Sequence, residues 1–448
     1  MKFLRWKNGA TFQNRWEENQ KKLYSKEAEG KARGKNKKAF TRKRKMPVCD
    51  IIISIMTSKK QTCAMELRNF FKLKDREEIS KQAYFKARQN LDPEVFTYLN
   101  DNYLNDFYKH PDEVKTWKGY IVLAIDGSKV EIPNSEENRK KYGVLRNQNE
   151  TESPARAMIS GLFDVFNKFF LDLQICNIHE SELDAAEKNL EAIKRIGIEQ
   201  KAIIIFDRGY PSFEMLYYLE KLGLKYIIRL PSTGFDKERA SVKSDDEEIT
   251  LEINNNRLRN VKSRNSEIYK EMKNLKSINT RLVSENTPAG QKFSVFTNLP
   301  SEISSEEICD AYFFRWKIEE AYHTLKNKMK FESVSGQASI YVEQDFLAQI
   351  HVYNMMEDMI EFVEDELLKS DEKKSKYHQH LNENMAIGLF AQDFIKILLE
   401  ENGRKRYNLM KTLEKDMQKY LLPKRLSISQ KRTFRKANKY SANQKNSF

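Results

Sequence analysis

Asp126 and Asp207 each follow a short apolar run, Ile121-Val122-Leu123-Ala124-Ile125 and Ile203-Ile204-Ile205-Phe206. Taken singly, an acid in Asp126-Gly127 or Asp207-Arg208-Gly209 reads first as turn punctuation. Two acids at the same end of neighbouring strands, however, would converge on one point and offer hard oxygen donors to a divalent cation. A second group, Tyr312, Arg315, Glu319 and Lys326, lies on a helix predicted from about Ser305 to Met329. At about 100° per residue these four fall within roughly a sixth of the circumference, with Phe314, Ile318, Ala321 and Leu325 grouped on the other side. A carboxylate in such a stripe could complete a two-metal site. Arg and Lys nearby could hold phosphates, and a Tyr could stack or donate a hydrogen bond. The same stripe also reads as a solvated helix face with Arg315 and Glu319 as an ordinary i,i+4 ion pair. His323 and Trp316 fall close to it.

The elements needed to position these residues are legible as a change of period along the chain. Strands are predicted at Tyr120 to Ile125, Ala157 to Phe163, Phe169 to Ile175, Ala202 to Phe206 and Tyr226 to Leu230, with helices at Ser181 to Ile196 and Phe213 to Leu222. Three strands, helix, strand, helix, strand require a mixed α/β sheet with parallel strands joined by helical crossovers. Residues 231–290 are polar and rich in Asn, Ser and Lys, and read as an insertion; a strand is predicted next at Phe293 to Phe296, and the remainder to Leu422 reads as helical. Upstream, residues 48–115 read as a small helical domain. In it Ser80 caps a segment carrying Lys81, Lys86 and Arg88, suited to lie against DNA. The resulting division is a basic arm at 1–47, the helical domain at 48–115, a catalytic core at 116–340 and a helical carboxyl-terminal region at 341–448.

The chain has 448 residues and a formal charge of +14. Residues 1–47 contribute +12 and residues 421–448 contribute +8, which leaves the 373 residues between them at −6. Positive charge gathered at two ends points to a polyanion, with Arg42-Lys43-Arg44-Lys45 able to neutralise phosphates and Trp6, Phe12 and Trp16 available for stacking or core contacts. Basic solubilising tails are the plainer alternative. No apolar stretch approaches the roughly 18 residues of a membrane helix, and no apolar signal segment comes after the basic amino end. The four cysteines show no CxxC spacing, which fits neither a disulfide framework nor a structural zinc site and suits a reducing cytoplasm. His378-Gln379-His380 and Asp245-Asp246-Glu247-Glu248 read as solvated segments.

The helical stripe and the two upstream aspartates resemble those of bacterial insertion-sequence transposases of the DDE type, in the family whose signature is Tyr-x2-Arg-x3-Glu-x6-Lys, matched here by Tyr312, Arg315, Glu319 and Lys326. The likeness extends from Phe40 to Phe96, similar to the family's amino-terminal DNA-binding region, through Thr297-Asn298-Leu299 ahead of the signature, and stops at about Ile387. It implies an RNase H-like core with a β-rich insertion, in which Asp126, Asp207 and Glu319 hold two Mg2+ or Mn2+ ions. It also implies cutting of transposon ends, a hairpin intermediate and joining to target DNA. Tyr312, Arg315 and Lys326 would position the DNA, and the partners would be double-stranded DNA with terminal inverted repeats, target DNA and a second copy of the chain in a paired-end complex. No membrane is implied, and the expected location is the bacterial cytoplasm at the nucleoid. A nuclease or resolvase of the same fold, or a non-catalytic DNA-binding protein, are the rival readings.

Overall fold

A computed structural model of the chain describes residues 9–146, 153–286, 292–371 and 379–423. These fall into two compact units, one spanning Leu104 to Tyr322 and the other formed by the described residues up to Tyr103 and from His323 onward.

In the first unit the apolar runs become strands because β-branched residues facing two packed layers bury both sides of the pleat. The strands are β1 (Ile121–Glu131), β2 (Arg156–Asp164), β3 (Phe169–Asn177), β4 (Ala202–Phe206), β5 (Lys225–Arg229), β6 (Asp246–Glu252), β7 (Ser277–Asn286) and β8 (Lys292–Thr297). They form one sheet in the order β3-β2-β1-β4-β5-β8-β7-β6. β1, β2 and β3 pair antiparallel, and β4 and β5 continue the sheet parallel to β1. Helix Glu182–Ile196 lies between β3 and β4 in sequence, and helix Phe213–Lys221 between β4 and β5. Three antiparallel strands and then two parallel ones, with helical crossovers, are the RNase H-like mixed α/β arrangement that the order of elements in the sequence suggests. On one face Leu123 and Ile125 of β1 join Ile204 and Phe206 of β4 with Leu190 and Ile193 of the crossover helix in a single core.

The polar stretch 231–290 carries strands, as an insertion into the core: its β6 and β7 extend the central sheet through β8, and between and before them lie the short helices Asp236–Ser241, Arg259–Arg264 and Ser266–Met272. Two expectations need correction. The strand β1 does not stop at Ile125 but runs on to Glu131, so Asp126 lies within it. The second concerns the helix expected from Ser305 to Met329, which is broken into α-helix Ser305–Tyr312, a 3-10 turn at Phe313–Arg315, α-helix Trp316–His323 and a π-helical turn at Thr324–Lys328. Three residues per turn in the 3-10 segment rotate the later residues away from a straight 3.6-residue wheel. The stripe therefore does not stay on one exposed face: Tyr312 and Arg315 are buried, and Glu319 is exposed.

The second unit is helical, with a two-stranded ribbon pairing Gln379–Leu381 with Leu421–Pro423. Its longest helix, Ser339–Asp371, is buried along most of its length. The first 47 residues are not a free arm where they are described. Helix Gly9–Leu23 buries Phe12 and Trp16, with Phe12 stacked on Phe362 at 4.4 Å and Trp16 edge-on to Phe390 and Phe394. Arg15 on the same helix donates to Asp358 Oδ2 at 2.9 Å, fully buried, and Tyr103 donates to the same oxygen at 2.6 Å. Trp6, His378 and nearly all of the basic carboxyl tail lie outside the described residues. Among the described residues no helix is long and apolar enough to cross a membrane.

Candidate active site

The ladder between β1 and β4 brings two of the predicted acids together. Leu123 pairs with Ile204 and Ala124 with Ile205, where the ladder ends; Asp126 lies two residues beyond the last pair on β1, and Asp207 two residues beyond it as the first residue after β4. The two carboxylates are near enough for the charge of Asp207 to act on Asp126. Each carboxylate is steadied by its own turn: Gly127 N–H donates to Asp126 Oδ1 at 3.0 Å, and Gly209 N–H to Asp207 Oδ1 at 2.7 Å.

Glu319 arrives from helix Trp316–His323. Arg315, one turn earlier, donates to Glu319 Oε1 at 2.8 Å and reaches Asp126 Oδ2 at 3.5 Å, so one buried guanidinium links the two carboxylates. The helix is pinned to β1 by Tyr322, whose hydroxyl donates to the Asp126 backbone carbonyl at 2.8 Å. That approach requires a glycine across the ladder. Gly161 pairs with Asp126, and a methyl there would lie 2.7 Å from the Tyr322 oxygen.

Burial pushes the Asp126 carboxyl up to about 6; the Arg315 guanidinium opposes the shift, and the charges of Asp207 and Glu319 add to it. Among the described residues no group of three acidic, His or Cys side chains converges closely enough to hold a metal ion. The donor chemistry nonetheless fits a hard divalent cation. Carboxylates from two adjacent strands and one helix act on each other electrostatically, with the Arg315 guanidinium hydrogen-bonded between two of them.

The other predicted residues divide between interior and surface. Tyr312 is buried in an aromatic group with Phe293 and Phe313, with the Arg229 guanidinium 5.5 Å from its ring, so it faces the interior. Lys326 lies in the π-helical turn and belongs to the second unit, half-buried, where burial lowers its pKa. Lys81 and Lys86 are exposed on helix Lys81–Arg88, as are Arg42, Lys43, Arg44 and Lys45 upstream. A cavity of about 660 Å3 opens there, lined by Lys38, Arg42, Arg44, Lys45 and Lys86 around apolar Phe40 and Ile51. Arg88 does not join that surface. It shares an inward face with Tyr84, one turn before it, and is buried against Gln344 Oε1 at 2.9 Å and Asp345 Oδ1 at 2.7 Å. Its charge is neutralised inside the unit and is not presented to a phosphate backbone.

Sequence reasoning passed over three residues at this site. Tyr322 lies one turn after Glu319, a spacing that put it on the same helix face. Glu182 was absorbed into the capped start of a helix behind Ser181, and Tyr210 ended the Asp207-Arg208-Gly209 turn. Glu182 rests on the backbone of Gly127, where an added methyl would meet its Cδ and Oε1 at 3.2 Å. The Tyr210 hydroxyl is buried with no hydrogen-bond partner among the described residues.

The sheet has the RNase H-like order, with one acid within its first strand, one just after its fourth and one on a later helix. Residues 117–355 match the model of the transposase DDE domain, and the chain belongs to that family. No curated protein matches the chain. Among solved structures it is similar to the piggyBac transposase synaptic complex with hairpin DNA determined by cryo-electron microscopy. The identity is 9% and the TM-score 0.45, over 90% of this chain and 85% of that one. That likeness is too distant to bear on the roles of residues.

Proposed function

We propose that this DDE-family transposase cuts and joins the ends of an insertion sequence, with Asp126, Asp207 and Glu319 as the acidic triad. The observation that supports this reading is that Asp126 and Asp207 each lie two residues beyond the last pair of the parallel β1–β4 ladder, with Glu319 tied to Asp126 through Arg315. The assignment to the insertion-sequence group with the Tyr-x2-Arg-x3-Glu-x6-Lys signature rests on the spacing of Tyr312, Arg315, Glu319 and Lys326. Two bound divalent cations, Mg2+ or Mn2+, would supply the Lewis acidity that activates a water and stabilises a departing 3′ oxygen.

The residues of the chain supply the rest. Asp126, Asp207 and Glu319 hold the positive charge where the scissile phosphate must sit. Arg315, once a phosphate enters, has donors in a planar fork suited to its oxygens. Tyr312 supports Arg315 from within the aromatic group. The 3′-OH freed by hydrolysis then attacks a phosphodiester of the opposite strand, closing a hairpin as that bond's own 3′ oxygen leaves; water reopens the hairpin and frees the 3′-OH again, and this attacks a target phosphodiester as the target's 3′ oxygen leaves. Arg42, Lys43, Arg44, Lys45, Lys81 and Lys86 carry duplex affinity, and two copies of the chain act on paired ends.

Incubating the purified protein with Mg2+ and DNA bearing the ends that flank the reading frame tests this, with Asp207→Ala in parallel. Hairpin or joined products from the wild type alone support transposition. Cleavage without joining would favour a nuclease of the same fold, and end-binding with no cleavage by either protein would overturn the catalytic reading.

A further inference from the structure

Helix Glu182–Ile196 approaches the acidic site from the face opposite helix Trp316–His323. Ile125 of β1 packs in the core with this helix, whereas Asp126 points the other way, to Arg315 and Glu319. Beyond Ala124 the β1–β4 ladder ends while β1 runs on to Glu131. The open edge at Gly127 is therefore the place where groups from both faces meet. Glu182 occupies it, its carboxylate lying against the Gly127 backbone in the space a side chain would fill. It feels the charge of Asp207, with Lys129 as a balancing cation.

Tyr210 supplies an independent observation. Its side chain is 1% exposed, packed on Phe206, and its hydroxyl sits within electrostatic reach of Glu182, Asp126, Tyr322 and Asp207. Among the described residues that hydroxyl has no hydrogen-bond partner. A buried donor left unmade is costly and calls for a partner that another state of the site provides.

We infer that Glu182 is a fourth acidic residue of the cation site, binding a cation directly or through its water, and that the Tyr210 hydroxyl donates to the Glu182 carboxylate once a cation draws it inward. The inference rests on the proposed triad. It extends the site across the sheet edge, so that a cation is held from both faces and not from the Asp126 face alone. Tyr210 is then a positioning residue, acting through Glu182.

The test is Mn2+ affinity of the full chain without DNA, read by isothermal titration and by the paramagnetic resonance signal of free Mn2+. The variants are Glu182→Gln, Tyr210→Phe, the double variant and Asp207→Asn. Glu182→Gln is isosteric on a solvent-exposed residue and keeps the fold, which circular dichroism verifies. We expect Glu182→Gln to weaken Mn2+ binding by about 10-fold, Tyr210→Phe by a smaller factor, and the double variant to bind no worse than Glu182→Gln alone, because the hydroxyl acts only through that carboxylate. Unchanged affinity in Glu182→Gln beside a loss in Asp207→Asn would overturn the inference and spare the triad. Losses that add in the double variant would overturn the role of Tyr210. Unchanged affinity in Asp207→Asn would overturn the triad itself.

Discussion

Gly161 shows how one missing side chain sets the geometry of the acidic site. It stands across the β1–β2 ladder from Asp126, and the Tyr322 hydroxyl and the Phe170 ring fill the space beside it. A methyl at this position would lie 2.7 Å from the Tyr322 oxygen and 3.0 Å from the nearest Phe170 carbon. Both rings belong to buried residues and cannot give way without moving their elements. Gly161→Ala should therefore break the hydrogen bond from Tyr322 to the Asp126 carbonyl and shift helix Trp316–His323, taking Glu319 with it. The expected cost is about 1–3 kcal/mol of overpacking. In the cleavage assay it should appear as a loss of roughly 10- to 100-fold, from misplacement of a group by about an ångström. DNA affinity should stay as in the wild type, since the exposed basic residues belong to the other unit. Tyr322→Phe separates the two causes: it keeps the ring and removes only the hydrogen bond, so it should cost about 1 kcal/mol and far less activity. Equal activity in Gly161→Ala and wild type would show that Glu319 does not depend on this contact.

At the scale of elements, the crossover helix and the insertion meet at a cluster short of positive charge. Arg264 of helix Arg259–Arg264 bonds Glu214 of helix Phe213–Lys221, and lies 3.3 Å from Asp184 and 4.0 Å from Glu187, both on helix Glu182–Ile196. Burial, then the Glu214 charge, pushes the Glu187 carboxyl up to about 7; Arg264 opposes this and Asp184 adds to it. A carboxyl whose folded pKa is raised binds its proton more tightly when folded. Its contribution to stability is fully present below the unfolded pKa of about 4.3 and is lost as pH rises through about 7. Glu187→Gln should thus raise the melting temperature at pH 8 by several degrees, at about 2–4 °C per kcal/mol for a unit of this size, and change little at pH 4. A gain that is equal at both pH values would refute the assignment.

The same elements show what the sequence could and could not reveal. β4 was legible residue for residue because its five positions, Ala202 to Phe206, are all apolar, and both crossover helices were legible from their 3.6-residue stripes. The extension of β1 was not, because Asp126-Gly127-Ser128 has the composition of a turn and becomes strand only through pairing with Gly161 and Ser160. The break in the signature helix was hidden too, since Phe313 and Phe314 carry no local helix-breaking signal and the 3-10 turn is set by tertiary packing. The acids were legible as a pair. Glu182 and Tyr210 were not, because their nearness depends on an open sheet edge that no spacing encodes.

Across the whole molecule, charge and chemistry belong to different units, the acidic site to residues 104–322 and the exposed basic residues to the helical unit. Composition alone suggests removing residues 1–47 to test phosphate binding. Since Phe12, Arg15 and Trp16 are built into the helical core, that deletion would unfold the unit and test nothing. Charge must instead be removed where it is exposed. Arg42, Lys43, Arg44 and Lys86 line or flank one cavity, while Lys45 is already bonded to Glu77 at 2.6 Å and Arg88 is neutralised by Asp345. Replacing those four with Gln should leave the fold intact, because their side chains are solvated. If each meets one phosphate of a duplex, the slope of log affinity against log salt should fall by about 3 to 4, at about 0.9 per contact. The loss should be similar for end-bearing and unrelated DNA, since phosphate contacts carry no sequence information. Arg88→Gln should behave differently, lowering thermal stability by leaving Asp345 buried and unpaired while the salt slope holds. A salt slope that responds to Arg88 and ignores the other four would place the duplex on another surface of the helical unit.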